Sequence, residues 1–303
     1  MIPLFLLVYA LANLGNTSCM KINSGLLDGA SRAKYSLYLS VVGVIACVFF
    51  WILGGFSIGI NLPTLAFALV YALIAAASII LKMTAFGLAS VSGVNIIMSG
   101  CNLICSLALG ALIFSEDITP IKIVRVALML ASIVFTFLEA KRLDAAKEKA
   151  EGRAKGKNGI KLFIVLALII LVSCIDIVTL KLFTRNTRVL DENSFFFWTN
   201  VLLVAGCLLI VLFDVIKKKS ADKEIFVLFK PKNLATTAGV TVTANVGSLT
   251  SLGLLALLDV SVYTPVTAAL GVVSGVVASL IFREKLGVFS YISALLALVA
   301  VII

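Results

Sequence analysis

Asp176 is the one acidic side chain set deep inside a long apolar run, the stretch from 160 to 182. A carboxylate in such surroundings costs free energy unless a partner or a wet cavity meets it, which marks it as a functional candidate. It can carry a proton or pair with a cationic substrate. The alternative reading is a carboxylate near an interface, neutralised by Lys181 or by water. At an offset of 160 residues the equivalent position is Asn16, so two polar groups stand at corresponding places in the chain.

The remaining polar candidates also cluster in apolar stretches. The first run carries Asn13, Asn16, Thr17 and Ser18, too many amides and hydroxyls for a surface facing hydrocarbon. Asn95, Ser99 and Asn102 are spaced i, i+4, i+7 and share a helix face, as do Thr241, Asn245 and Ser248, with Thr243 beside them. Hydroxyls in such places also serve helix packing, whereas asparagines favour ligand contact more strongly. Tyr263-Thr264-Pro265 opens another run, and a proline there removes a backbone hydrogen bond and frees carbonyls of the preceding turn toward a cavity or a plain kink. Substrate-binding candidates are therefore Asn13, Asn16, Thr17, Asn95, Ser99, Asn102, Asp176, Thr241, Asn245, Ser248, Tyr263, Thr264 and Pro265, with Asp176 also the coupling candidate. Glu116 and Glu284 begin apolar runs and suit the positive end of a helix dipole, a structural role.

Other chemistries are poorly provided for. The chain has no histidine, which removes histidine triads, histidine metal ligands and histidine proton shuttles. Its six cysteines fall inside apolar runs without zinc-type spacing and read as structural thiols. No P-loop, no glycine-rich dinucleotide fingerprint and no Gly-Asp pair of an intramembrane aspartyl protease is present. No enzyme activity, cofactor or metal is expected.

The elements that must position these residues are set by composition. With 61% hydrophobic and 13% charged residues, and a mean hydropathy of +1.16, the chain reads as an all-α integral membrane protein. Ten apolar runs are long enough to span: 2 to 20, 35 to 54, 63 to 82, 88 to 114, 119 to 139, 160 to 182, 194 to 215, 234 to 257, 261 to 282 and 287 to 303. Leu-Ile-Phe-Ser-Glu at 112 to 116 recurs as Leu-Ile-Phe-Arg-Glu at 280 to 284, and Val94 pairs with Val262 in the same register. The chain thus divides into a first repeat at 1–140, a charged linker at 141–159 and a second repeat at 160–303. Because five crossings per repeat is odd, the second is expected to be inverted relative to the first.

Loop charges assign the sides. If ten helices alternate, 20 of the 25 Lys and Arg fall on one side, which the positive-inside rule makes cytoplasmic, with both termini outside. Trp51 and Trp198 then share the outer interface. The charged segment from Lys141 to Asn158 reads as a solvated linker, with a short amphipathic helix on the inner leaflet as the alternative. The net charge of +10 reports topology rather than nucleic-acid binding.

The paired Leu-Ile-Phe-x-Glu stretches, Thr264-Pro265-Val266 ahead of the second, and Gly15-Asn16-Thr17-Ser18 followed by Lys21 together resemble the drug/metabolite transporter superfamily, specifically its EamA-like ten-helix members. The resemblance covers essentially the whole chain. It implies a central cavity between helices one to four and six to nine, with helices five and ten outside, and transport of a small metabolite without ATP hydrolysis. It departs from the chain in two ways: such proteins usually keep both termini in the cytoplasm, and short multidrug relatives use a helix-one glutamate that is missing here. The expected function is a secondary transporter, an exporter or exchanger of a small organic metabolite working by alternating access, with proton coupling through Asp176 as an additional expectation. The alternative is a non-transporting lipid-handling or assembly subunit. Expected partners are a small-molecule substrate and membrane lipid, with a homodimer left open, in the cytoplasmic membrane of a bacterium.

Overall fold

The structure is a computed structural model that describes residues 2–27, 32–88, 91, 93–100, 103, 119–151, 157–218, 228–258, 260–283 and 287–302. Asn102, Glu116 and Glu284 lie outside the described residues, as does the Leu112 to Phe114 copy of the repeated motif. The described residues are helical with no strand. In chain order the helices are α1 (Ile2–Leu26), α2 (Arg32–Leu53), α3 (Leu62–Leu88), α4 (93–100), α5 (Pro120–Glu151), α6 (Lys157–Arg185), α7 (Glu192–Lys218), α8 (Pro231–Leu257), α9 (Val260–Ile281) and α10 (Val288–Ile302). Among the described residues six of them, α1, α2, α3, α6, α7 and α8, are long and apolar enough to cross a membrane. Shorter apolar helical stretches run over Ile123–Phe135, Val266–Ile281 and Val288–Ala300.

Local chemistry fixes several helix ends. Asn61 accepts the Thr64 N–H at 2.9 Å through Oδ1 and so caps α3. Asp191 caps α7 in the same way, taking the Ser194 N–H at 3.1 Å and the Ser194 hydroxyl at 2.7 Å. Proline occupies the first position of α8, where its missing N–H costs nothing. Helix α2 ends at Gly55, whose φ of +63° allows the paired bonds Phe56 N to Trp51 O and Gly55 N to Ile52 O.

The bundle turns its polar side inward. Leu73 is 68% exposed on the outer surface, while Thr241 and Thr64 are fully buried, the arrangement expected of a protein whose surroundings are apolar. Helix α2 packs on α7, α5 on α10, α1 on α8 and α3 on α6. Helix α2 also meets α8, and α3 meets α7. Exchanging each helix for the one five places along the chain returns these six contacts, whereas the packing of α1 on α3 has no comparable counterpart between α6 and α8. At one end of the bundle Phe50, Phe183, Phe195 and Phe196 form a buried aromatic cluster, with Phe183 and Phe195 stacked at 4.2 Å and Phe50 and Phe196 at 5.0 Å. Toward the other end Met20, Tyr38, Val42, Met83 and Phe86 belong to a second cluster.

Two details differ from the sequence reading. The charged segment after 140 is not all linker: α5 continues through Glu151, because Ala, Lys and Glu are strong helix formers that need no apolar contact to extend a helix already nucleated. Glu139, expected at a helix end, sits inside α5 and is buried at 4% exposure. Its carboxylate packs against the α-carbon of Gly287, so a side chain at that position would collide with it.

Candidate functional site

A cavity of about 310 Å³ lies inside the bundle, lined by residues of α1 to α4 and α6 to α9. Among the described residues α5 and α10 contribute nothing to its wall. Helical periodicity explains which side chains reach it. In α3 the lining residues Tyr71, Ala75, Ser78 and Lys82 follow the spacing i, i+4, i+7, i+11 of one helix face. In α8 the spacing i, i+4, i+7, i+10 brings Thr241, Asn245, Ser248 and Ser251 to the wall.

Asp176 of α6 is the acidic side chain on this wall. The Tyr71 hydroxyl of α3 is hydrogen-bonded with its carboxylate, and Lys82, further along α3, lies near enough for its positive charge to act on it. Tyr9 from α1 and Tyr263 from α9 also lie close enough to feel its charge. The Tyr263 hydroxyl is hydrogen-bonded with that of Ser251. Oδ1 of Asp176 and Oδ1 of Asn16 are buried acceptors with no hydrogen-bond partner in the protein. Asn245 turns its amide nitrogen to the Thr241 carbonyl at 2.8 Å.

Asn13, Asn16, Asp176, Thr241, Asn245, Ser248, Tyr263 and Thr264 all reach this one wall. Four other candidates, Thr17, Asn95, Ser99 and Pro265, are not on it. Thr17 and Asn95 are buried against one another, Asn95 Nδ2 donating to Thr17 Oγ1 at 3.4 Å. Asn95 and Ser99 pack closely on Gly275 and Gly271 of α9, where glycine four residues apart lets α4 approach the α9 backbone. Pro265 does not break α9, which is helical from Val260 to Ile281, and the wall receives its neighbours Thr264 and Thr267 instead. Lys82, which the loop charges assign to the cytoplasmic side at the end of the 63 to 82 run, lies within α3, which runs on to Leu88, and lines the cavity.

Tyr9, Tyr71, Lys82, Thr199 and Asn200 are wall residues that sequence reasoning passed over. A signal for two of them was present, since Tyr71 and Lys82 fall on the same helical face as Ser78 in an otherwise apolar run. Thr199 and Asn200 lie in a stretch of phenylalanines whose strong hydropathy masks them. Among the cysteines, Cys19, Cys47 and Cys207 are free and Cys174 is disulfide-bonded, so the reading of all six as thiols does not hold for Cys174.

Beyond the aromatic cluster, two loops join across one end of the bundle. Trp198 Nε1 donates to the Gly59 carbonyl at 2.7 Å and Gly59 N–H donates to Ser194 Oγ at 3.1 Å. Asn61 Nδ2 donates to Arg188 O at 2.8 Å, and Leu190 N–H to Thr64 Oγ1 at 2.9 Å. The segments 54–61 and 186–191 therefore form a latch between helix pairs from the two parts of the chain. Toward the other end Asn23 donates to the Tyr38 hydroxyl at 3.0 Å and accepts from Thr236 at 2.8 Å, while Lys21 donates to Phe86 O at 2.9 Å.

No family model matches the chain. No curated protein matches it either. A solved structure described only as "Crystal structure of protein" is similar in fold, with a TM-score of 0.58 at 13% identity over 98% of this chain and 96% of that one. The helical architecture is thus one that a solved protein of nearly the same extent also adopts.

Proposed function

We propose that the chain is a secondary transporter that moves a small organic metabolite by alternating access, as an exporter or exchanger. In this reading ten spanning helices form two inverted five-helix repeats. The helix contacts that survive exchange of each helix for the one five places on support that symmetry. The observation that carries the proposal is the polar cavity, walled by helices of both repeats and placed between an aromatic cluster with its loop latch and a second packed cluster. A scaffold has no use for a cavity lined by amides, hydroxyls and a paired charge, because each polar group there costs free energy unless something wet or polar fills the space. Asp176 is the acidic group positioned to take up a coupling proton from the cavity. The EamA-like resemblance and the cytoplasmic membrane of a bacterium complete the proposal.

The test is flux. Purified protein in proteoliposomes should exchange a radiolabelled metabolite against unlabelled internal solute faster than empty vesicles do, for at least one of amino acids, nucleosides, sugars, phosphorylated metabolites or organic cations. Flux equal to empty vesicles for every class, from protein shown to be folded, would return the chain to the assembly-subunit reading.

A further inference from the structure

Two opposite charges share the cavity wall. Lys82 lies eleven residues beyond Tyr71 on the same face of α3, so the two meet the cavity at different levels along that helix. Each charge acts on the other across the cavity. A ligand bearing only one charge would take one of them and leave the other uncompensated away from bulk water, which is costly. A ligand with both charges at opposite ends satisfies both.

The surroundings of Asp176 say which end goes where. Two buried acceptors, Asp176 Oδ1 and Asn16 Oδ1, lack donors. An ammonium brings up to three N–H donors and no acceptor. Tyr9, Tyr71 and Tyr263 add three aromatic rings from three helices around the same carboxylate, a setting in which a cation gains further attraction. At the other level Lys82 supplies donors only, as an acidic group requires.

We infer that the substrate is a small zwitterion whose ammonium sits among Asp176, Asn16 and the three tyrosines and whose acidic group meets Lys82. This deepens the transport reading and rests on it. Sugars, nucleosides and simple organic cations do not meet both charges.

The experiment is thermal unfolding of the full-length protein in detergent with free amino acids and glycine betaine. For the amino acid giving the largest shift, its methyl ester and its N-acetyl derivative follow. Only the uncapped zwitterion should stabilise the wild type, with each capped form at least about tenfold weaker, the loss expected for one charged hydrogen bond. Asp176→Asn should reverse the preference toward the N-acetyl anion, and Lys82→Met toward the methyl ester cation. Asp176→Asn/Lys82→Met, which removes both charges together, should fold and lose the discrimination, separating charge recognition from a failure to fold. The inference is overturned if capped and uncapped forms shift the protein equally, or if another class alone shifts it. In the second case flux of that class would leave the transport reading standing, whereas silence from every class in both unfolding and flux would remove both.

Discussion

Gly43 and Gly206 allow the α2–α7 contact to be tested with one kind of substitution at two sites. Gly43 is buried in α2, and a methyl there would stand 2.5 Å from Val204 Cγ2 and 3.3 Å from the Asn200 carbonyl oxygen of α7. Neither neighbour yields easily, since a β-branched valine is stiff in a helix and a carbonyl oxygen is fixed by its own backbone. The helices must separate by roughly 1 Å to restore ordinary contact, and overpacking of this sort costs about 1–3 kcal/mol. Replacing a helical glycine by alanine returns about 0.8–1.0 kcal/mol of propensity, leaving Gly43→Ala destabilised by about 0–2 kcal/mol. Gly206 of α7 is exposed and a methyl there meets nothing within 4 Å, so Gly206→Ala should gain about 1 kcal/mol. The two variants should differ by about 1–3 kcal/mol, roughly 2–6 °C in midpoint at about 2 °C per kcal/mol for a chain of this size. Thermal unfolding in detergent measures it. Equal midpoints, or Gly43→Ala the more stable, would refute the close α2–α7 contact.

Three other outcomes are expected. Asp176→Asn should abolish flux driven by a pH gradient in proteoliposomes while leaving exchange of unlabelled for labelled solute detectable; unchanged pH-driven flux would remove Asp176 as the coupling group. Ser132→Ala deletes the bond that Ser132 Oγ donates to the Ser293 carbonyl at 2.8 Å, while Ser293 still donates back at 2.7 Å, so it should cost about 1 kcal/mol in the unfolding midpoint, and no change would argue that α5 and α10 do not meet there. Trp198→Phe keeps the ring but removes the 2.7 Å bond to Gly59, which should loosen the latch by about 1 kcal/mol and raise the labelling rate of a Ser173→Cys cavity cysteine about fivefold, measured with a water-soluble maleimide in a cysteine-depleted background.

The helices were legible because an apolar run of sufficient length permits little else, and the observed bounds fall within a few residues of the expected ones where composition changes sharply. They were not legible where helix propensity outlasts hydropathy, as from Lys141 to Glu151 and beyond Lys82 to Leu88. The cavity was partly legible for the same reason. Polar groups such as Asn16, Asp176 and Asn245 stand out in apolar sequence and must face inward, but periodicity gives a face and not the neighbour across it. Asn95 and Ser99 share a face as expected, and that face meets the glycines of α9 rather than the cavity. Tyr9 and Tyr71 escaped notice because a tyrosine ring reads as apolar, although it is the Tyr71 hydroxyl that meets Asp176.

The two ends of the bundle are held by comparable devices, a balance that the proposed alternating access would need. At an offset of 160 residues Trp198 corresponds to Tyr38, and each is the aromatic side chain whose polar atom is engaged at its own end, Trp198 with Gly59 and Tyr38 with Asn23. The four hydrogen bonds of the latch are together worth about 2–6 kcal/mol at 0.5–1.5 kcal/mol each. Were the other end not held by bonds of similar worth, one conformation would be so favoured that a ligand would need roughly a 10⁴-fold preference, about 5.5 kcal/mol, to invert the population. Asn23 bridges Tyr38 and Thr236 while Lys21 holds Phe86, so opening that end also breaks bonds of this size. A difference of a few kcal/mol between two such sets is small enough for one bound solute to tip, provided that it interacts differently with the cavity in the two conformations.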